Sequence, residues 1–134
     1  MTSFLTRIDA AARRNAWVVW VTGCLVYFLA VLHRSSLGVA GPDAVVRLDI
    51  SAAQLGAFVM VQLGIYAAMQ VPAGLAIDRL GPRRVLLFAT LVMGTAQVIF
   101  ALATTYPLAL GARGLLGLGD SAVYLSCLRL AQEW

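Results

Sequence analysis

Four long apolar stretches divide the chain. The first covers residues 16–32 and resumes over 37–40 after the polar interruption His33-Arg34-Ser35-Ser36. Residues 55–77 and 85–103 contain no charged side chain, and residues 108–128 contain only Arg113 and Asp120. A helix needs about 20 apolar residues to cross the hydrocarbon core of a bilayer. The pattern therefore predicts spans over about 16–41, 54–77, 84–104 and 107–129, following a segment 1–15. The expected fold is an all-α polytopic membrane protein.

Breakers stand between the stretches: Gly41-Pro42, Gly81-Pro82 and Tyr106-Pro107. Ser51 and Gln54 have the spacing of a capping box, which predicts a helix start after Ser51. Residues 42–51, 78–84 and 104–107 are the expected connections.

Composition supports this division. Of 134 residues, 61% are hydrophobic and 12% charged, whereas a soluble domain carries about twice that charge. Mean hydropathy is +0.87. The net charge of +4 comes from ten arginines and no lysine. They form no basic tract interleaved with aromatics, so nucleic acid is not an expected partner. Their order speaks instead of orientation. Arg7, Arg13 and Arg14 precede the first span, Arg79, Arg83 and Arg84 follow the second, and Arg129 closes the fourth. The other side has Arg47 alone, beside Asp43 and Asp49. The positive-inside rule then places both termini and the 78–84 connection in the cytoplasm, in an inner or plasma membrane. A cleaved leader ending near Gly38-Val39-Ala40 is the rival reading of the start, but Arg34 interrupts it and further spans follow. Cys24 and Cys127 lie inside spans without metal-ligand spacing, so no metal and no cofactor is expected.

Ionisable groups at membrane depth are expensive, which makes them functional candidates. Gly23, Tyr27, Ala30, Arg34, Gly38 and Gly41 share one face of the first helix. Arg113, Gly117, Asp120, Ser121 and Tyr124 share one face of the fourth. If these faces meet, two arginines make a pocket for a carboxylate or phosphate, since guanidinium forks bind such groups bidentately. Asp120 is a candidate proton carrier or a neutralising partner within a charge network with Arg113. Gln62, Tyr66 and Gln70 follow at four-residue steps on the second span, as cavity lining or as helix–helix hydrogen bonds. The candidate solute-binding set is Tyr27, Arg34, Gln62, Tyr66 and Arg113. Gly56 and Gly64 are expected to admit close neighbours, and the third span to face mainly lipid. His33 points about 100° away from Arg34.

Gly74-Leu-Ala-Ile-Asp78-Arg79-Leu-Gly81-Pro-Arg83-Arg84 resembles the signature loop of the major facilitator superfamily between its second and third helices. Arg113-Gly-Leu-Leu-Gly117-Leu-Gly119-Asp120 resembles that family's fourth-helix motif. Tyr27…Arg34-Ser-Ser-Leu…Ala40-Gly-Pro42 is similar to its anion- and organophosphate-transporting branches, where an arginine of the first helix reaches a central anionic substrate. Many of those branches have Asp where this chain has His33. The resemblance implies that Gly74, Asp78, Arg79, Gly81, Arg83 and Arg84 form a conformational-switch loop, with Gly74 admitting a close neighbour and Glu133 a partner for Arg83. It also implies the first four helices of a twelve-helix transporter built from two halves.

The expected function is secondary transport of a small solute, an anion being favoured. The expected partners are the bilayer, the solute, and either remaining transporter helices or another copy. A chain of four spans is expected to be a truncated portion, inactive alone. A self-contained four-span transporter acting as an oligomer, or a non-transporting membrane scaffold, are the alternatives. An enzyme is not expected, because no nucleophile–base constellation, metal cluster or nucleotide loop is present.

Overall fold

A computed structural model describes residues 2–133, with side chains over 17–130. The chain is all-α, in the order α1 (Thr2–Leu48), α2 (Ala52–Ala68), α3 (Gln70–Leu80), α4 (Pro82–Leu102) and α5 (Tyr106–Glu133). Each apolar stretch is helical. Trp17–Leu48 and Pro82–Leu102 are long and apolar enough to cross a membrane on their own. The pair α2 and α3 meets the same criteria together, bent by 47°. The 28 residues of α5 are long enough, but Arg113 and Asp120 reduce its apolarity.

The expected connections prove shorter. Gly41-Pro42 does not end the first helix; α1 runs on to Leu48. Pro42 has no N–H to give the Gly38 carbonyl, but the turn beyond it is held from outside. Arg47 donates to the carbonyls of Phe100 and Ala101 at 3.1 and 3.0 Å, which fastens the last turn of α1 to the carboxyl end of α4. Cations favour such an end because its carbonyls lack helical partners. Leu37 and Ile50 are buried in one cluster with Phe58, Phe100, Ala103, Ala109 and Ala112. The helix then stops at Asp49, which takes φ +50°, while Ile50 N–H bonds to the Val45 carbonyl at 3.1 Å. Ser51 caps α2 in the expected capping box: Gln54 N–H donates to Ser51 Oγ at 3.3 Å, and Ser51 N–H donates to Gln54 Oε1 at 2.8 Å.

The bend after α2 was not expected from the uninterrupted apolar run. Its source is Pro72, which cannot donate to the Ala68 carbonyl and crowds the preceding turn. Bonds from Met69 N–H to Ile65 and from Ala73 N–H to Met69, both 2.9 Å, carry the chain across. Between α3 and α4 only Gly81 is non-helical, so the 78–84 connection is a one-residue corner. Gly81 holds φ +83° and ψ 150°, a region open essentially to glycine alone. Pro82 then supplies a preset φ for the first turn of α4.

The third span is exposed over most of its surface, as expected of a lipid-facing helix, but one face is buried. Leu86, Ala89, Met93, Ala96 and Phe100 of α4 are buried at alternating steps of three and four. Ala109, Ala112, Leu116, Gly119, Val123, Ser126 and Leu130 of α5 are buried at the same steps. That spacing is the seam of two helices packed as in a coiled coil, here an antiparallel hairpin turned at 103–105. The broader opposite face of α4, with Leu87, Phe88, Leu91, Val98 and Leu102, is exposed. Close approach requires glycine twice on α5. A Cβ at Gly119 would lie 2.9 Å from the Ala89 carbonyl oxygen, and one at Gly117 would collide with the Gln62 backbone. Small residues permit such contact where helices have little hydrophobic drive to associate. Gly56, Gly64 and Gly74, expected to admit close neighbours, have nothing within 4 Å of a built Cβ. Helix α5 touches all four others and occupies the centre.

Candidate functional site

The polar faces of α1 and α5 meet. Arg34 donates to Asp120 Oδ2 through Nε at 2.9 Å and Nη2 at 2.6 Å. The Asp120 side chain is only 3% exposed, while that of Arg34 is 36% exposed. The Arg34 guanidinium lies 4.8 Å from the centre of the Tyr66 ring, which brings α2 into the group. Two turns from Arg34 on the same face, Tyr27 packs against Tyr124 of α5 with ring centres 5.9 Å apart. Among the described residues, Arg34 Nη1 makes no hydrogen bond, so one edge of the guanidinium remains for a further acceptor.

Asp120 thus neutralises Arg34, not the Arg113 of its own helix. Arg113 and Asp120 are seven residues apart, about 10 Å along the axis, and do not touch. Arg113 is 1% exposed. Its guanidinium lies 3.9 Å from the centre of the Phe100 ring, and Nη1 donates to Gln62 Oε1 at 3.4 Å. Arg113 and Gln62 therefore sit inside α2, α4 and α5, and the two arginines do not line one open pocket. Phe100 was not anticipated. Its sequence signal is its place at the end of the buried seam of α4.

Below Arg34 a groove of about 200 Å³ separates α1 from α5, lined by Trp20, Gly23, Cys24, Tyr27, Tyr124 and Cys127 among others. The Cys127 thiol donates to the Gly23 carbonyl at 3.4 Å, the bond of a packed thiol. Among the described residues no cluster of side chains is arranged to hold a metal. His33 Nδ1 lies 2.7 Å from the Leu29 carbonyl, consistent with its direction away from Arg34.

At the other end of α5, Arg129 Nη2 meets Asp78 Oδ1 at 2.6 Å. Asp78, of the signature-like segment, thus faces an arginine side chain from α5. Arg79, Arg83 and Arg84 are exposed and make no hydrogen bond or ion pair among the described residues. Glu133, the expected partner of Arg83, lies outside the residues whose side chains are described. In the sequence Arg129 speaks only of orientation, and its distance of 51 positions from Asp78 hides the pairing.

Comparison with known proteins gives one consistent answer. Residues 23–134 match the family model of the Major Facilitator Superfamily. Over 111 residues the chain is 31% identical to a protein of Cupriavidus necator named "Probable sulfoacetate transporter SauU", covering 83% of this chain and 26% of that protein. Over 113 residues it is 27% identical to the "Probable L-galactonate transporter" of Escherichia coli, covering 82% of this chain and 25% of that one. The chain spans about a quarter of the length of these curated relatives. No solved structure matches it with significance.

Proposed function

The chain belongs to the major facilitator superfamily, and on that premise we propose that it forms the substrate-facing wall of one half of a secondary transporter for a small organic anion. In this reading α1, the bent pair α2–α3, α4 and α5 are four crossings, corresponding to the first four helices of the family's fold. Arg79, Arg83, Arg84 and Arg129 lie at one end and Arg47 at the other. The arginine-rich end is cytoplasmic, with both termini. Reporter fusions after residues 49 and 81 would test the orientation; a cytoplasmic signal at 49 would overturn it. The rest of the protein supplies the second wall.

The observation that carries the reading is the half-open ion pair of Arg34 with Asp120. A buried ion pair contributes little net stability, because desolvation opposes the Coulomb attraction. This one leaves Arg34 partly exposed beside the Tyr66 ring, with Nη1 free of a hydrogen bond among the described residues. An arriving carboxylate or sulfonate finds a donor partly withdrawn from water and already oriented by Asp120. It also competes with Asp120 for the fork, which links solute binding to a charge at membrane depth. The names of the two relatives, which refer to sulfoacetate and L-galactonate, support an organic anion as the solute class. Arg113 and Gln62 belong to the wall behind this group and reach the solute only through a change in packing.

The test is uptake by proteoliposomes holding the whole gene product that carries residues 1–134. Sulfoacetate and L-galactonate serve as first probes, with an uncharged sugar as control. Arg34→Gln is expected to lower uptake of the accepted anion by about 100-fold, from loss of a charge-assisted bidentate contact of roughly 3 kcal/mol. Unchanged uptake would remove Arg34 from the site. Uptake of the sugar alone would remove the anion.

A further inference from the structure

Arg113 presents a charge problem that the proposed transport reading does not solve. Its Nε and Nη2 are buried and have no hydrogen-bond partner, and the same holds for Nε2 of the adjoining Gln62. All three atoms are donors. Nε and Nη2 are the same side-on fork that Arg34 closes on Asp120. The one polar acceptor that Arg113 meets is Gln62 Oε1, at the long distance of 3.4 Å. The Phe100 ring face offsets part of the charge but accepts no hydrogen bond in the guanidinium plane.

No carboxylate of the described residues supplies the counter-charge. Asp120 pairs with Arg34 and Asp78 with Arg129. Asp43 follows Pro42 near the end of α1, Asp49 follows its last residue, and neither forms an ion pair among the described residues. An arginine does not escape by losing its proton. An unpaired buried charge costs several kcal/mol, and a membrane position deepens that cost.

Size limits what can answer it. Arg113 is 1% exposed and Gln62 is 4% exposed, and both are enclosed by helices of this chain. A carboxylate side chain from elsewhere in the protein, or an organic solute, would have to part α2 from α5 where Gly117 meets the Gln62 backbone. Water brings no charge. A monatomic anion brings one and has no chain to thread between the helices.

We propose that the Nε–Nη2 fork of Arg113 and Nε2 of Gln62 hold a resident halide, chloride in ordinary salt, between α2 and α5. The halide is a structural counter-ion. It is distinct from the transported organic anion, which meets Arg34 on the other side of the polar network. Binding bridges the side chains of Arg113 on α5 and Gln62 on α2, so halide stabilises the folded protein independently of solute.

The experiment uses the whole gene product carrying residues 1–134, purified in nanodiscs. Thermal unfolding is compared in sodium chloride, sodium bromide and sodium gluconate at equal ionic strength. Chloride and bromide are expected to raise Tm by about 2–4 °C over gluconate, as expected of a ligand held only by the folded state. Crystals grown in bromide are expected to show an anomalous peak within hydrogen-bond reach of Arg113 Nε and Nη2. Arg113→Gln removes both the charge and the fork, and is expected to abolish the halide shift and the peak. Equal Tm in all three salts, or a peak elsewhere and only water-like density at Arg113, overturns the proposal. So does a halide shift that survives in Arg113→Gln. If that variant does not fold, the wild-type salt comparison and bromide peak decide alone. None of these readouts involves uptake, so the Arg34 site can fail while the halide site stands, or the reverse.

Discussion

The ion pairs Arg34–Asp120 and Asp78–Arg129 have the same closest distance, 2.6 Å, and both join α5 to another helix. They differ in surroundings. Asp120 is 3% exposed, whereas Asp78 and Arg129 are 54% and 52% exposed. Distance alone therefore says little about what each does. The inner pair is costly to break singly, since the survivor is left with its charge and little water. The outer pair exchanges readily with solvent and is screened by salt.

The largest expected effect comes from the inner pair. Asp120→Ala is expected to destabilise by about 3 kcal/mol, the low end for a buried pair because Arg34 is partly exposed. Denaturant titration in bicelles measures it. Arg34→Met with Asp120→Leu together is expected to recover most of that loss; simple additivity of the single changes would show that the two charges are not coupled.

A second test sets a sealed position against the open corner. Gly119→Leu drives a side chain into the Ala89 carbonyl and is expected to cost about 1–3 kcal/mol, with the α4–α5 hairpin loosened in hydrogen exchange. Protection of α4 equal to the parent would argue against the buried seam. Gly81→Ala meets no atom within 4 Å, so any loss reports backbone strain alone. About 1 kcal/mol is expected, and a neutral result would mean that the corner relaxes to another conformation.

The smallest effect belongs to the outer pair. Arg129→Ala is expected to change stability by less than about 1 kcal/mol, and the difference should vanish at high salt. A loss as large as that of Asp120→Ala, unaffected by salt, would erase the distinction between the two pairs.

Much of the fold was legible because helices are local. Ser51 and Gln54 are three residues apart, and the Gly81-Pro82 corner is written in two. The polar stripes of α1 and α5 follow from a 3.6-residue repeat. The seam of α4 was equally legible at 86, 89, 93, 96 and 100, but its small and apolar residues look alike to lipid and to a neighbour. Pro72 carried the signal for the bend, and Pro42 carried a similar signal where the helix continues. The difference is Arg47, whose bonds to the end of α4 hold the turn beyond Pro42 from a distance of more than 50 positions.

The site divides in the same way. The sequence alone determined that Arg34, Arg113 and Asp120 lie on polar helix faces within long apolar stretches, since apolar length and helical period suffice for that. Only the tertiary structure decided which arginine Asp120 answers. Its partner is 86 positions away, and the choice depends on how α1, α2 and α4 pack around α5. Side-chain volumes at Gly117 and Gly119 set those distances, and they leave Arg34 partly exposed and Arg113 sealed against Phe100. Periodicity specifies the face a charge occupies; packing specifies what stands opposite.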